Sequence, residues 1–156
     1  METWKILAGV GGAIGAIAIL KSVSAARFLP NVDISKWSDP ASISPGGSVI
    51  NRMRLMNIGG DVATNIMLVD TLFKGGWILQ DVRFVDCIGE YLGAGYFSIT
   101  SELPAGAQCG VEYTITAPLD ARGLYQNEVN IAKVTDRYNR DAPGKGRVVR
   151  SNVFVI

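Results

Sequence analysis

The chain has 156 residues, 48% of them apolar and 19% charged, which is too hydrophobic for intrinsic disorder and too short for two sizeable domains. Fifteen basic residues against fourteen acidic leave a net charge of +1, so no global field recruits nucleic acid, and any partner is selected locally. The chain contains no histidine, which removes the commonest general base, the Ser-His-Asp arrangement and the usual zinc ligand together.

Residues 1–29 differ in kind from the rest of the chain. Ile6 to Leu20 is an uncharged run between Lys5 and Lys21, whose long stems reach back to an interface while the run stays in hydrocarbon. As a helix this run spans about 22 Å, short of the bilayer core until Trp4 and residues 23–28 are added. Gly11 and Gly15 form G-x-x-x-G, and Ala8, Gly12 and Ala16 add a second row of small residues at the spacing that lets helix backbones approach closely. The segment therefore reads as a hydrophobic helix with three uses: a secretory signal ending in Ser-Ala-Ala at 24–26, an anchor in membrane lipid, or a helix packed against copies of itself. Glycine is also frequent in membrane helices in general.

From Pro30 the pattern becomes short alternating runs separated by turn residues. VDISKW at 32–37 alternates, DPASISPGGS at 39–48 reads as loop, and VINRMRLMNI at 49–58 places Val49, Asn51, Met53, Leu55 and Asn57 on one side. NIMLVDTL, GWILQDVRFV, GYFSITSEL, CGVEYTITAP, YQNEVNIAKV and RVVRSNVFVI come next, divided by GGD, FKGG, GEYLGAG, PAGAQ, LDARG and DAPGKG. Runs of this length with glycine or proline between them predict an antiparallel β-sandwich over 30–156, and there is no helix-period segment after residue 29.

The chemistry-bearing motifs are few. No G-x-S-x-G, Walker loop or C-x-x-C is present, and the glycines of PGGS at 45–48 and LGAG at 92–95 precede no helix that could hold a phosphate. The carboxylates of Asp33, Asp39, Asp61, Asp70, Asp81 and Asp86 are scattered, with no D-x-D-x-D-G run for calcium. We therefore expect no catalytic residues, no metal ligands and no cofactor. Asn57 and Gly59 suit a turn, Asn by bonding locally to backbone and Gly by tolerating positive φ. Asp70 ends a strand, where its carboxylate would cap a loop. Cys87 and Cys109 pair if the domain lies in an oxidising space, and otherwise stand as two buried thiols.

One stretch is locally charged. Between Lys133 and Arg150 there are six basic residues against Asp136 and Asp141. Arg137, Arg140, Lys145 and Arg147 around its tip could contact anionic head groups, glycans or an acidic face of a neighbouring copy, or simply solvate and protect a hairpin. Tyr138 alone is available for stacking there, which argues against nucleic acid.

Taken together, the Pro45-Gly46 turn, Asn57-Ile58-Gly59, Ala63-Thr64-Asn65, Asp70-Thr71-Leu72, Leu103 with Gly106, and Asn127 with Val129 resemble the immunoglobulin-like surface module DUF11, with CARDB a close cousin. Phe73 stands where that family usually has proline. The resemblance covers about residues 31–156 and implies a surface-exposed sandwich used as spacer, adhesin or assembly subunit. A hydrophobic helix ahead of such a sandwich also resembles archaeal flagellar and type IV pilus subunits. The expectation is a mainly β chain with one N-terminal hydrophobic α-helix. It would serve as a non-enzymatic subunit of a filament or virion shell, membrane-anchored and extracellular or on a virion surface. Its partners would be copies of itself, lipid, and other surface or capsid proteins. The alternative is a monomeric, membrane-tethered adhesion or binding module.

Overall fold

A computed structural model describes residues 28–71 and 76–156. Residues Ala8, Gly11, Gly12, Gly15 and Ala16 of the expected helix, and Leu72 and Phe73 of the motif, lie outside the described residues.

Period-two alternation sets the architecture. In β1 (Val32–Asp39) the residues at 32, 34, 36 and 38 are buried and those between them exposed. β2 (Ser48–Asn57) buries Val49, Asn51, Met53, Leu55 and Asn57, the side its sequence assigns to the core. β3 (Thr64–Asp70), β4 (Ile78–Val85), β5 (Gly89–Gly93), β6 (Tyr96–Ile99), β7 (Gln108–Thr116), β8 (Leu124–Thr135) and β9 (Val148–Val155) complete the described strands. They form two antiparallel sheets, one in the order β1-β2-β7-β4 and the other β5-β6-β3-β8-β9. No helix occurs among the described residues.

The inner faces of the two sheets meet over Met53, Leu55, Leu68, Phe97, Ile115 and Ile131, all close to fully buried. Each such side chain contributes about 1.5–3 kcal/mol relative to an exposed one. Phe97 packs on Tyr113 with ring centroids 4.9 Å apart, which ties β6 of one sheet to β7 of the other.

The glycine-rich GEYLGAG stretch departs from its loop reading: Gly89–Gly93 is a strand paired with β6. Gly93, Ala94 and Gly95 then turn the chain with positive φ at all three residues. Cys87, just beyond β4, is disulfide-bonded to Cys109 of β7, with Cα atoms 5.5 Å apart. The two strands are already neighbours, so the bond fastens the end of the β4–β7 pair. By the chain-entropy relation a loop of this length adds about 3 kcal/mol.

Backbone hydrogen bonds at its two ends fix the poles of the domain. At one pole the backbone of Leu29 accepts from Gly60 N at 3.0 Å, Asn31 O accepts from Ile58 N at 2.8 Å, and Val32 N donates to Pro143 O at 3.1 Å. At the other pole, Ala41 and Ile43 exchange backbone hydrogen bonds with Val155, and Ile156 does so with Gly123. The bridge between Ser42 and Val155 is parallel, so β1 and β9 run in the same direction on adjacent edges of the two sheets. Asn152 of β9 joins them near the end of β1, its Oδ1 accepting from Ser38 N at 2.8 Å and its Nδ2 donating to Ser38 O at 3.1 Å.

Asn57 organises the first pole. Its Oδ1 accepts from Asn31 N at 3.1 Å and Gly59 N at 3.0 Å, while Nδ2 donates to Asp61 O at 2.6 Å and Leu103 O at 2.9 Å. The local backbone role expected of Asn57 is what the geometry shows. Gly59 differs from expectation, because it is absent from the positive-φ glycines. It is glycine because a Cβ there would lie 2.3 Å from Leu29 O and 2.4 Å from Asn31 N, both backbone atoms. Gly59→Ala is therefore expected to cost about 1–3 kcal/mol through overpacking rather than through backbone strain. An unchanged urea midpoint for Gly59→Ala would mean that the segment at 29–31 is not held against this turn.

Candidate functional site

Four polar side chains stand inside the sandwich in phase with its core residues. Lys36 on β1 and Tyr113 on β7 come from one sheet, and Asp70 on β3 and Asn127 on β8 come from the other. The side chains of Lys36 and Asp70 have no solvent exposure. Burying either charge alone would be prohibitive, so each is stable inside only because the other is there.

The contacts converge on one oxygen. Asp70 Oδ2 accepts from Lys36 Nζ at 3.1 Å, from Asn127 Nδ2 at 2.9 Å and from the Tyr113 hydroxyl. Lys36 Nζ also donates to the Tyr113 oxygen, and Asn127 Nδ2 lies 3.4 Å from the same atom. The lysine ammonium sits 4.9 Å from the centre of the Tyr113 ring, so the ring face shares in stabilising it. Asn127 Oδ1 is buried with no hydrogen-bond partner among the described residues.

Burial is the main influence on both titrating groups. It pushes the Lys36 amine down from 10.5 to about 8, with Asp70 pulling in the opposite direction. It raises the Tyr113 hydroxyl well above 10.0, and the neighbouring Asp70 charge adds to that rise.

Asp70 ends a strand, as its sequence reading has it, and its Oδ2 is turned into the core. Lys36 is a residue that sequence reasoning misses. The signal that finds it is phase: it shares the parity of Val32 and Ile34 in a strand that alternates without a break.

The basic residues of the 136–147 loop are each drawn to a carboxylate of the same chain. Arg137 pairs with Asp61, Arg140 with Asp136 at 2.7 Å, Lys145 with Asp141 at 2.6 Å, and Arg147 with Asp33 at 3.1 Å. Arg147 also donates to Val32 O at 2.8 Å, which holds the loop against the start of β1. The Arg137 guanidinium, bonding directly, holds the Asp61 carboxyl below its ordinary value. Exposed pairs of this kind add little stability, but they absorb the charge excess that the sequence count places on this hairpin. Among the described residues no group of three or more His, Cys, Asp or Glu could hold a metal ion.

No family model matches the chain, and no curated protein matches it in sequence. Solved structures do match. A solution structure of a CARDB domain from Pyrococcus furiosus is similar with a TM-score of 0.50 at 10% identity, over 82% of this chain and 95% of that one. A type III cohesin module from the ScaE cell-surface anchoring scaffoldin of Ruminococcus flavefaciens is similar with a TM-score of 0.51 at 13% identity, over 85% of this chain and 91% of that one. At such identities the likeness establishes architecture: the described residues form an immunoglobulin-like sandwich similar to those of CARDB and cohesin modules.

Proposed function

We propose that the chain is a non-enzymatic structural subunit of a surface assembly, a pilus- or flagellum-like filament or a virion shell. Residues 1–29 anchor it and pack against copies of themselves, and the sandwich is exposed. The observation that carries this reading is the placement of the poles. The chain joins the sandwich at Leu29 on one pole, and Val155 and Ile156 lie at the other, a strand length of about 25 Å away. Tension between the poles runs along β1 and β9 as shear, resisted together by the hydrogen bonds of β1 to β2, of β8 to β9 and of Asn152 to Ser38. Such a sharing of load along two strands suits a spacer or coat subunit.

A membrane-tethered binding module is the second reading. It is favoured by the similarity to a cohesin described as part of a cell-surface anchoring scaffoldin. Sedimentation and negative-stain imaging separate the two. The full chain is expected to form ordered assemblies. A chain starting at Phe28, chosen because Leu29 O is bonded to Gly60, is expected to be a folded monomer. In the full chain, Gly11→Leu with Gly15→Leu is expected to keep lipid binding and lose assembly. Normal assembly of that double variant would reduce residues 1–29 to a tether and favour the binding module. Polymers of the shortened chain would place the assembly contacts on the sandwich.

A further inference from the structure

We propose that the core of this sandwich closes itself covalently: Lys36 Nζ attacks Cγ of Asn127, Asp70 relays the protons, and the Asn127 side-chain nitrogen leaves as ammonia. The result is an amide between β1 and β8 that joins the two sheets. This does not depend on the proposed assembly, since the reaction needs only the folded domain.

The two nitrogens are gathered around shared partners. The incoming nitrogen and the nitrogen it replaces bond to the same two oxygens, Asp70 Oδ2 and the Tyr113 hydroxyl. After the exchange the one remaining N–H still faces the same two oxygens. The acyl oxygen, Asn127 Oδ1, is buried and has no partner to satisfy before it can take a proton or a hydrogen bond from a neutral carboxyl group. A lysine amine brought down to about 8 by burial reaches its nucleophilic, uncharged form readily. Water, the competing nucleophile, is kept out by a site in which Lys36 and Asp70 have no exposed side-chain surface.

The steps balance without any further reactant. The Lys36 ammonium gives one proton to Asp70, leaving a neutral amine beside a neutral carboxyl group. The amine lone pair forms the Nζ–Cγ bond, and the carbonyl electron pair moves onto Oδ1, where the Asp70 hydroxyl steadies it by hydrogen bonding. Asp70 then gives its proton to Nδ2 and takes one from Nζ. The Cγ–Nδ2 bond breaks with its electrons on nitrogen, ammonia departs, and the carbonyl re-forms. What remains is a secondary amide with one hydrogen on Nζ beside a neutral Asp70. Two buried charges have disappeared, so their desolvation cost disappears with them.

The test is the mass of the full chain after reduction and denaturation, followed by tryptic digestion and fragmentation of the peptides. The expected result is a mass one ammonia below that of the sequence, with a branched peptide joining the Lys36 and Asn127 segments and no tryptic cleavage after Lys36. Lys36→Arg and Asn127→Ala are expected to show their full sequence masses and no branch. A wild-type chain at full sequence mass overturns the proposal. Loss of ammonia without a branched peptide overturns it too, because cyclisation within a single asparagine gives the same mass. Loss of one water with the branch at Asp70 removes Asn127 as the acyl donor. The wild-type measurement decides between these results whether or not either variant folds.

Discussion

Relative to the unlinked chain with its Lys36–Asp70 ion pair, Asp70→Ala is expected to lower the unfolding free energy by about 3–5 kcal/mol, because it leaves the Lys36 ammonium buried with no opposite charge. It also strips a hydrogen-bond acceptor from Asn127 Nδ2 and from the Tyr113 hydroxyl, both inside the core. The control is the double variant Lys36→Met with Asp70→Ala. Neither variant can complete the Asp70-assisted bond to Asn127, so the difference between them reports the stranded charge by itself. Urea unfolding followed through Trp37 and Trp77 fluorescence measures both, and the double variant is expected to recover a large part of the loss. Equal instability of the two would mean that lost packing and hydrogen bonds, not charge, set the cost.

The second large effect is a dependence on pH, read in Asn127→Ala, where no acyl group is available and Lys36 stays an amine. Lys36 titrates at about 8 in the fold against 10.5 ordinarily, so between those values the unfolded chain holds a proton that the folded chain has released. Stability therefore rises with pH across that window. The cost of charging Lys36 is present in full below about 8 and gone above 10.5, a difference of about 3 kcal/mol. Tyr113 works the other way. Its hydroxyl is held well above 10.0 in the fold, so above pH 10 the unfolded chain loses a proton that the folded chain keeps, and stability falls. Asp70 from β3 and Tyr91 from β5 are the other titratable groups that act on this pair. The melting temperature of Asn127→Ala should thus climb from pH 7 to about 10 and then drop. The linked wild-type chain should lack the climb, since an amide does not titrate. A flat profile for Asn127→Ala would show that the Lys36 amine is not desolvated.

Much of the fold is legible because alternation is a local property. VDISKW and VINRMRLMNI declare their inner faces residue by residue, and the structure buries those faces. β5 is not legible for a reason equally local. Gly89, Gly93 and Gly95 thin the pattern to one half-buried tyrosine, and the strand exists because β6 is beside it, a fact of pairing rather than of composition.

The buried cluster is half legible. Lys36 is in phase with Ile34, Asp70 with Leu68, Tyr113 with Val111 and Asn127 with Val129, so parity alone brings four polar groups into the core. That they meet each other is a consequence of strand order, which no short motif encodes. The basic hairpin misleads in the same way. Counting charges within residues 133–150 leaves an excess, but two of the neutralising carboxylates, Asp33 and Asp61, come from distant parts of the chain.

The hydrogen bonds on the free side of β1 bear on how copies of this chain can meet. An edge strand invites another molecule to extend the sheet by pairing with its open backbone groups. On β1 those groups are occupied at both ends: Val32 N by Pro143 O, Val32 O by Arg147, and Ser38 N and O by the amide of Asn152. A foreign strand could not run the length of β1 without displacing a proline carbonyl, a guanidinium and a carboxamide at once. Uncontrolled sheet-to-sheet growth is thereby blocked at this edge, and β1 stays available to its own domain even where many copies are crowded together.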